Sequence, residues 1–136
     1  ISIPRIKLAL KELEREVGDA LLVDGDKLLF AAKYLWYADM LAFRKLGRSI
    51  TGSTYAALPY GPQLNNYNDL VDLILKADES EADPLTEEEK KIIVRVAATF
   101  PDKRLVYDAS HREEVWKKRT PGEIIPYTAA AELTEI

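Results

Sequence analysis

The chain has 136 residues, 47% of them hydrophobic and 31% charged, with a net charge of −4 and no cysteine. This length and composition suit one folded domain and exclude a disordered chain, while the acidic balance excludes a generic nucleic-acid grip, which needs a basic field. The missing cysteines exclude disulfides, thiolate catalysis and cysteine-held zinc, and no apolar run reaches the roughly 20 residues needed to span a bilayer.

Ser2 and Pro4 form a helix start, with Pro4 presetting φ in the first turn. Ile6, Leu10, Leu13, Val17 and Leu21 recur at helical spacing, and Gly18 is expected to end the helix. Residues 1–21 are read as an N-terminal helix or the tail of a truncated upstream segment, and 22–136 as the main domain. The first residue is Ile1 rather than Met, which suits a fragment or a processed chain.

Asp24-Gly25-Asp26 is a turn, with Asp26 the expected N-cap of a helix from Lys27 to Leu46. Leu28, Leu29, Ala32, Leu35, Trp36, Met40 and Phe43 follow one face, and Tyr34, Tyr37 and Leu41 widen it, so this helix is expected to be buried on more than one side. Lys45 complements the dipole and Gly47 suits a left-handed C-terminal position. Thr54 to Leu58 reads as extended, and Pro59 and Pro62 bracket Tyr60-Gly61 in a rigid corner expected to be neither helix nor strand.

A helix is expected after Asn65 or Asn66, carrying Leu70, Val71, Ile74 and Leu75, followed by a solvated, mobile acidic loop from Asp78 to Pro84. No β-hairpin is read between Pro62 and Leu85. Thr86 and Glu89 form a capping box for a helix with Ile92, Ile93, Val96, Ala97 and Phe100 that stops at Pro101. Asp102 caps a further short helix bearing Leu105, Val106 and Ala109, with His111 near its end. Ile124 to Tyr127 is extended, and Thr128 is expected to cap a last short helix. The fold class is therefore mainly α: a compact single-domain helical bundle with short extended segments.

Catalytic chemistry is sparse. His111 is the sole histidine, and its neighbour Ser110 points about 100° away on a helix, a poor geometry for a Ser-His pair. A structural histidine packed near Trp116 is the expectation. The acidic loop lacks calcium-loop spacing, and the glycines lack phosphate-loop spacing. No enzyme activity, metal or cofactor is expected. Arg44, Lys45 and Arg48 make a local basic cluster that reads as a solvated face. Tyr55, Tyr60 and Tyr67, set among rigid prolines, either line the core or offer contact area at low entropy cost.

Lys27-Leu28-Leu29-Phe30, Tyr37-Ala38-Asp39, the run from Gly47 to Tyr55 (GRSITGSTY) and Leu58-Pro59-Tyr60-Gly61-Pro62 resemble the Panacea (SocA-like antitoxin) family, which includes phage-associated members. Ser110-His111, Trp116 and Gly122-Glu123-Ile124-Ile125-Pro126-Tyr127 resemble that family's C-terminal signature. The resemblance implies a mainly helical, non-enzymatic domain of a type II toxin–antitoxin system that neutralises a cognate protein toxin by direct binding in the cytoplasm. Arg48, Thr51, Tyr55, Tyr60 and Tyr67 are the expected partner-binding residues, with Arg48, Tyr55 and Tyr60 expected to be exposed. The alternative is a transcriptional regulator or phage-associated adaptor lacking its N-terminal DNA-binding domain. Residues 1–21 are too short for a helix-turn-helix, so DNA contact is expected only through such a missing domain.

Overall fold

The computed structural model describes all 136 residues. Helix α1 (Ile3–Val17) starts where Ser2 Oγ accepts the Arg5 amide at 3.3 Å and stops at left-handed Gly18. Its Ile6, Ala9, Leu10 and Leu13 are fully buried in the same core as the rest of the chain. The Glu14 carboxylate then accepts the Leu21 and Leu22 amides, which closes the turn leading onward.

Helix α2 (Leu29–Leu46) is the axis of the molecule: every residue from Ala31 to Ala42 is buried. It begins later than expected. Lys27 and Leu28 adopt φ of +55° and +58°, outside the helical range, and the Asp26 carboxylate accepts the Leu28 amide at 2.8 Å. Asp26 therefore caps a left-handed turn that drives Leu28 into the core, not the helix itself. At the other end Gly47 (φ +77°) returns its amide to the Phe43 carbonyl, as the sequence suggests.

Helices α4 (Glu87–Thr99) and α5 (Lys103–Arg112) pack against α2, and α1 packs mainly against α4. Tyr34 OH donates to the Phe100 carbonyl at 2.6 Å and Tyr37 OH to Glu113 at 2.8 Å, so α2 is pinned to both flanking segments. Buried Glu113 also accepts the Thr134 and Glu135 amides and the Thr134 hydroxyl, which holds the C-terminal tail down. Thr86 and Glu89 make the capping box, and Asp102 caps α5 through the Leu105 amide. Helix α3 (Tyr67–Lys76) starts at left-handed Asn66 and buries Ile74. The acidic stretch holds a short 3-10 turn, Glu79–Glu81, where Asp78 accepts from the Ser80 amide, while Arg5 reaches the Asp83 carbonyl.

The strands form one three-stranded antiparallel sheet in the order β2-β1-β3. β1 (Tyr55–Leu58) and β2 (Gly61–Leu64) make a hairpin whose two-residue loop is Pro59-Tyr60. This corrects the sequence reading, which kept Gly61 and Pro62 out of any strand. β2 is an edge, so Pro62 removes no ladder bond that a central strand would need. β3 (Ile124–Ile125) pairs with β1, and the short helix α6 (Glu114–Lys117) lies between α5 and β3. The last turn, Tyr127–Glu132, is 3-10 and starts at Pro126 with no side-chain cap, so Thr128 does not cap it. The protein is mainly α-helical, and no helix is long and apolar enough to cross a membrane.

Candidate functional site

The most exposed feature of the hairpin is its tip. Tyr60 is 68% exposed, the largest aromatic surface in the chain. What places it there is the residue behind it. Gly61 has φ of +101°, and a Cβ at that position would sit 2.9 Å from Lys33 Cε, 3.1 Å from His111 Cε1 and 3.3 Å from Ser110 Oγ. Only glycine combines that backbone angle with that closeness. The tip thus presses onto α2 and α5, and Trp116 Nε1 donates to the Leu58 carbonyl at 2.9 Å from the other side.

Under the tip runs an aromatic series. Tyr107 stacks on His111 with centroids 4.2 Å apart, His111 meets Trp116 edge-on at 4.7 Å, and Phe30 lies 6.1 Å from Tyr107. His111 packs against Trp116, as the sequence suggests. Its Nδ1 lies 2.7 Å from the Tyr107 carbonyl, a contact that requires Nδ1 to carry the proton and donate. Ser110 Oγ donates to the same carbonyl at 2.8 Å. Although Ser110 Oγ and His111 Nδ1 are only 3.4 Å apart, that nitrogen has no lone pair free to act as base.

Two recesses flank Tyr60. One, of about 300 Å³, lies between the start of α2 and the hairpin and is lined by Asp26, Lys27, Leu29, Lys33, Tyr60, Gln63 and Tyr67 among others. The second, shallower, is lined by Leu29, Phe30, Lys103, Arg104 and Tyr107, with Tyr60 again on its wall. Lys33 is 1% exposed, and its ammonium has one hydrogen bond, to the Leu29 carbonyl at 2.9 Å. It also sits over the Tyr107 ring at 5.4 Å. Burial lowers its pKa from 10.5 to about 8, with no charged neighbour contributing. The left-handed Lys27 and Leu28 at the cleft's edge each cost on the order of 1 kcal/mol in backbone strain. Gln63 spans the cleft wall, donating to the Lys27 carbonyl at 3.3 Å.

The residues expected from sequence to bind a partner separate into three places. Tyr60 and Tyr67 come together at the first cleft. Arg48 is exposed, as expected, but lies apart from it and pairs with Glu89 at 2.8 Å. Thr51 and Tyr55 are corrections: they are 4% and 1% exposed, so neither presents itself to a partner. Both bond to Asp39, which is wholly buried and accepts from the Ile50 and Thr51 amides (2.8 and 2.9 Å), the Thr51 hydroxyl (2.5 Å) and Tyr55 OH (2.6 Å). Burial pushes the Asp39 carboxyl above its ordinary range against the pull of these donors, Thr51 foremost. The Gly47-to-Tyr55 run is thus a loop wound around a buried carboxylate.

Lys33 and Gln63 were not legible as site residues, although one signal for Lys33 existed. A lysine in the middle of a helix apolar on several sides must be buried or reach out, and in this helix only Lys33 and Asp39 raise that question between Ala31 and Ala42. No group of three or more His, Asp or Glu side chains converges in a metal-holding arrangement.

A mainly helical domain with a hairpin pressed onto its central helix at a glycine corner is the class this fold defines. The family model described as "Antitoxin SocA-like, Panacea domain" matches residues 32–117, more than half of the chain, and the chain belongs to that family. The match spans the hairpin, the Asp39 loop and the Ser110-His111 and Trp116 positions. Comparison with curated proteins and with solved structures finds no match.

Proposed function

We propose that this protein is the antitoxin of a type II toxin–antitoxin pair, neutralising a cognate protein toxin in the cytoplasm by stoichiometric binding and not by catalysis. Membership of the SocA-like antitoxin family carries this reading. The locked Ser110 and His111 supply no base–nucleophile pair, which favours binding over turnover. The contact surface is the hairpin tip: Tyr60 is a rigid, exposed aromatic of the kind that anchors interfaces, with a recess on each side of it. An interface of ordinary size buries about 1,600 Å², which extends well beyond the tip itself.

The test is co-expression with the product of the neighbouring gene. Growth arrest by that product alone, relief by this chain and co-purification of the two are expected. Tyr60→Ala is expected to weaken the complex at least tenfold, while the exposed position keeps its effect on folding within about 0.5 kcal/mol. An absence of both relief and co-purification would reject the reading.

A further inference from the structure

Four charged side chains are buried in this protein: Lys33, Asp39, Glu89 and Glu113. Three of them are saturated. Asp39 and Glu113 each accept four hydrogen bonds, and Glu89 takes the Arg5 and Arg48 guanidiniums together with the Thr86 amide. Lys33 is the exception. An ammonium has three donors, yet Lys33 has a single hydrogen bond, to a carbonyl of its own helix, and no ion-pair partner. Burying a charge without an opposite one is unfavourable, and folded proteins seldom leave it so.

The position of Lys33 tells what would complete it. It lines the cleft of about 300 Å³ beneath exposed Tyr60, on the surface the partner would cover, although the residue itself is only 1% exposed. Asp26 is the sole acidic residue lining that cleft, and one of its carboxylate oxygens is committed to the Leu28 amide. Lys27 adds positive charge in this cleft, on a chain whose net charge is −4, while Lys103 and Arg104 in the neighbouring recess are paired with Asp19 and Asp108. Leu29, Tyr60 and Tyr67 make the remaining walls apolar and aromatic. A recess lined by two lysines, one of them buried without an ion-pair partner, with apolar and aromatic surface beside them, fits a carboxylate carried on a short methylene stem.

We propose that this cleft receives an aspartate or glutamate side chain of the toxin, its carboxylate ion-paired with Lys33 and its stem held against Tyr60 and Tyr67. The proposal rests on the antitoxin reading and adds the chemistry of the anchoring contact. Tyr60 closes over the stem and excludes water, which strengthens the pair. Gly61 is part of the device, because any side chain there would push Lys33 out of position.

The test uses the full chain and the toxic product of the neighbouring gene. Lys33→Met nearly keeps the volume of the side chain, one atom shorter, and removes the ammonium with its charge and its bond to the Leu29 carbonyl. Binding is expected to weaken roughly 30-fold or more, the scale for truncating one partner of a buried interfacial charge pair, while circular dichroism and thermal unfolding show an intact fold. Lys91→Met, exposed on α4 and lining neither recess, is expected to change affinity less than threefold. Zero-length carbodiimide coupling of the wild-type complex, read by mass spectrometry, should join the Lys33 amine to an Asp or Glu of the toxin, and the joined peptide should vanish in Lys33→Met. If the wild-type chain neutralises the toxin but Lys33→Met binds within threefold of it and no Lys33 coupling is found, the cleft proposal is overturned and the antitoxin reading stands. If the wild-type chain neither binds nor neutralises, the antitoxin reading falls and the proposed occupant falls with it.

Discussion

Replacing Lys33 with methionine should make the isolated protein more stable, and the gain should depend on pH in a defined way. Lys33 has a folded-state pKa of about 8 against an ordinary 10.5. The unfolded chain therefore holds this proton more tightly than the folded one. A depressed basic group costs stability wherever it must be charged, so the cost is complete below pH 8 and disappears as pH rises through 10.5. At pH 7 the difference corresponds to about 3 kcal/mol, and at pH 9.5 to about 1.4 kcal/mol. Methionine fills nearly the same space but gives up the bond to the Leu29 carbonyl, worth about 1 kcal/mol. The net gain is then about 2 kcal/mol at pH 7 and about 0.5 kcal/mol at pH 9.5. Urea unfolding of both proteins at the two pH values measures this directly, and taking the difference between them cancels every other titrating group. A gain that does not change with pH, or a loss of stability at pH 7, would refute the picture of an uncompensated buried ammonium. A group that destabilises the free protein and lines a surface cleft is the pattern expected where stability is given up for binding.

Gly61→Ala should cost about 2–4 kcal/mol, because φ of +101° and a 2.9 Å approach to Lys33 both oppose a Cβ; a thermal-unfolding change below 0.5 kcal/mol would show that the hairpin tip shifts freely. Asp39→Ala should cost about 4 kcal/mol or more, since two backbone amides and two hydroxyls lose their acceptor, whereas Asp39→Asn should cost about 1–2 kcal/mol because the Thr51 and Tyr55 hydroxyls can turn to accept. Equal losses in the two variants, measured by chemical denaturation, would contradict that account. For Glu89, burial pushes the carboxyl up, but the Thr86 amide and the Arg5 and Arg48 guanidiniums outweigh it and leave the group below its ordinary value. A depressed carboxylate stabilises above its unfolded pKa and loses that contribution as pH falls through the folded one. Glu89→Gln should therefore be about 2 kcal/mol less stable than wild type at pH 6, and the gap should narrow on acidification toward pH 3; a gap that widens would reverse the assignment.

Much of the helical framework was readable from residues alone. Ser2, Gly18, Gly47, Thr86 with Glu89, and Asp102 each act at the helix end where their local chemistry puts them. Local signals failed where a longer-range contact decided the backbone. Asp26 looks like a helix cap, but burial of Leu28 imposes a left-handed turn first. Pro59-Tyr60-Gly61-Pro62 looks like a corner outside any strand, yet pairing with β1 recruits Gly61 and Pro62 into an edge strand.

The sequence by itself determined the helical class, most of the helix ends and the family, because each depends on residues close together or on patterns preserved in order along the chain. It also named Tyr60, but only as one of five expected partner-binding residues. Only the tertiary structure decided that Thr51 and Tyr55 face inward onto Asp39 while Tyr60 faces outward. All three lie within ten residues of one another and read alike as polar or aromatic positions in an irregular stretch. What separates them is a carboxylate on α2 that needs four donors and a glycine that lets the hairpin close on Lys33. Both are contacts across the chain. Burial of a charge is a property of everything packed around it, and no short window of sequence contains that.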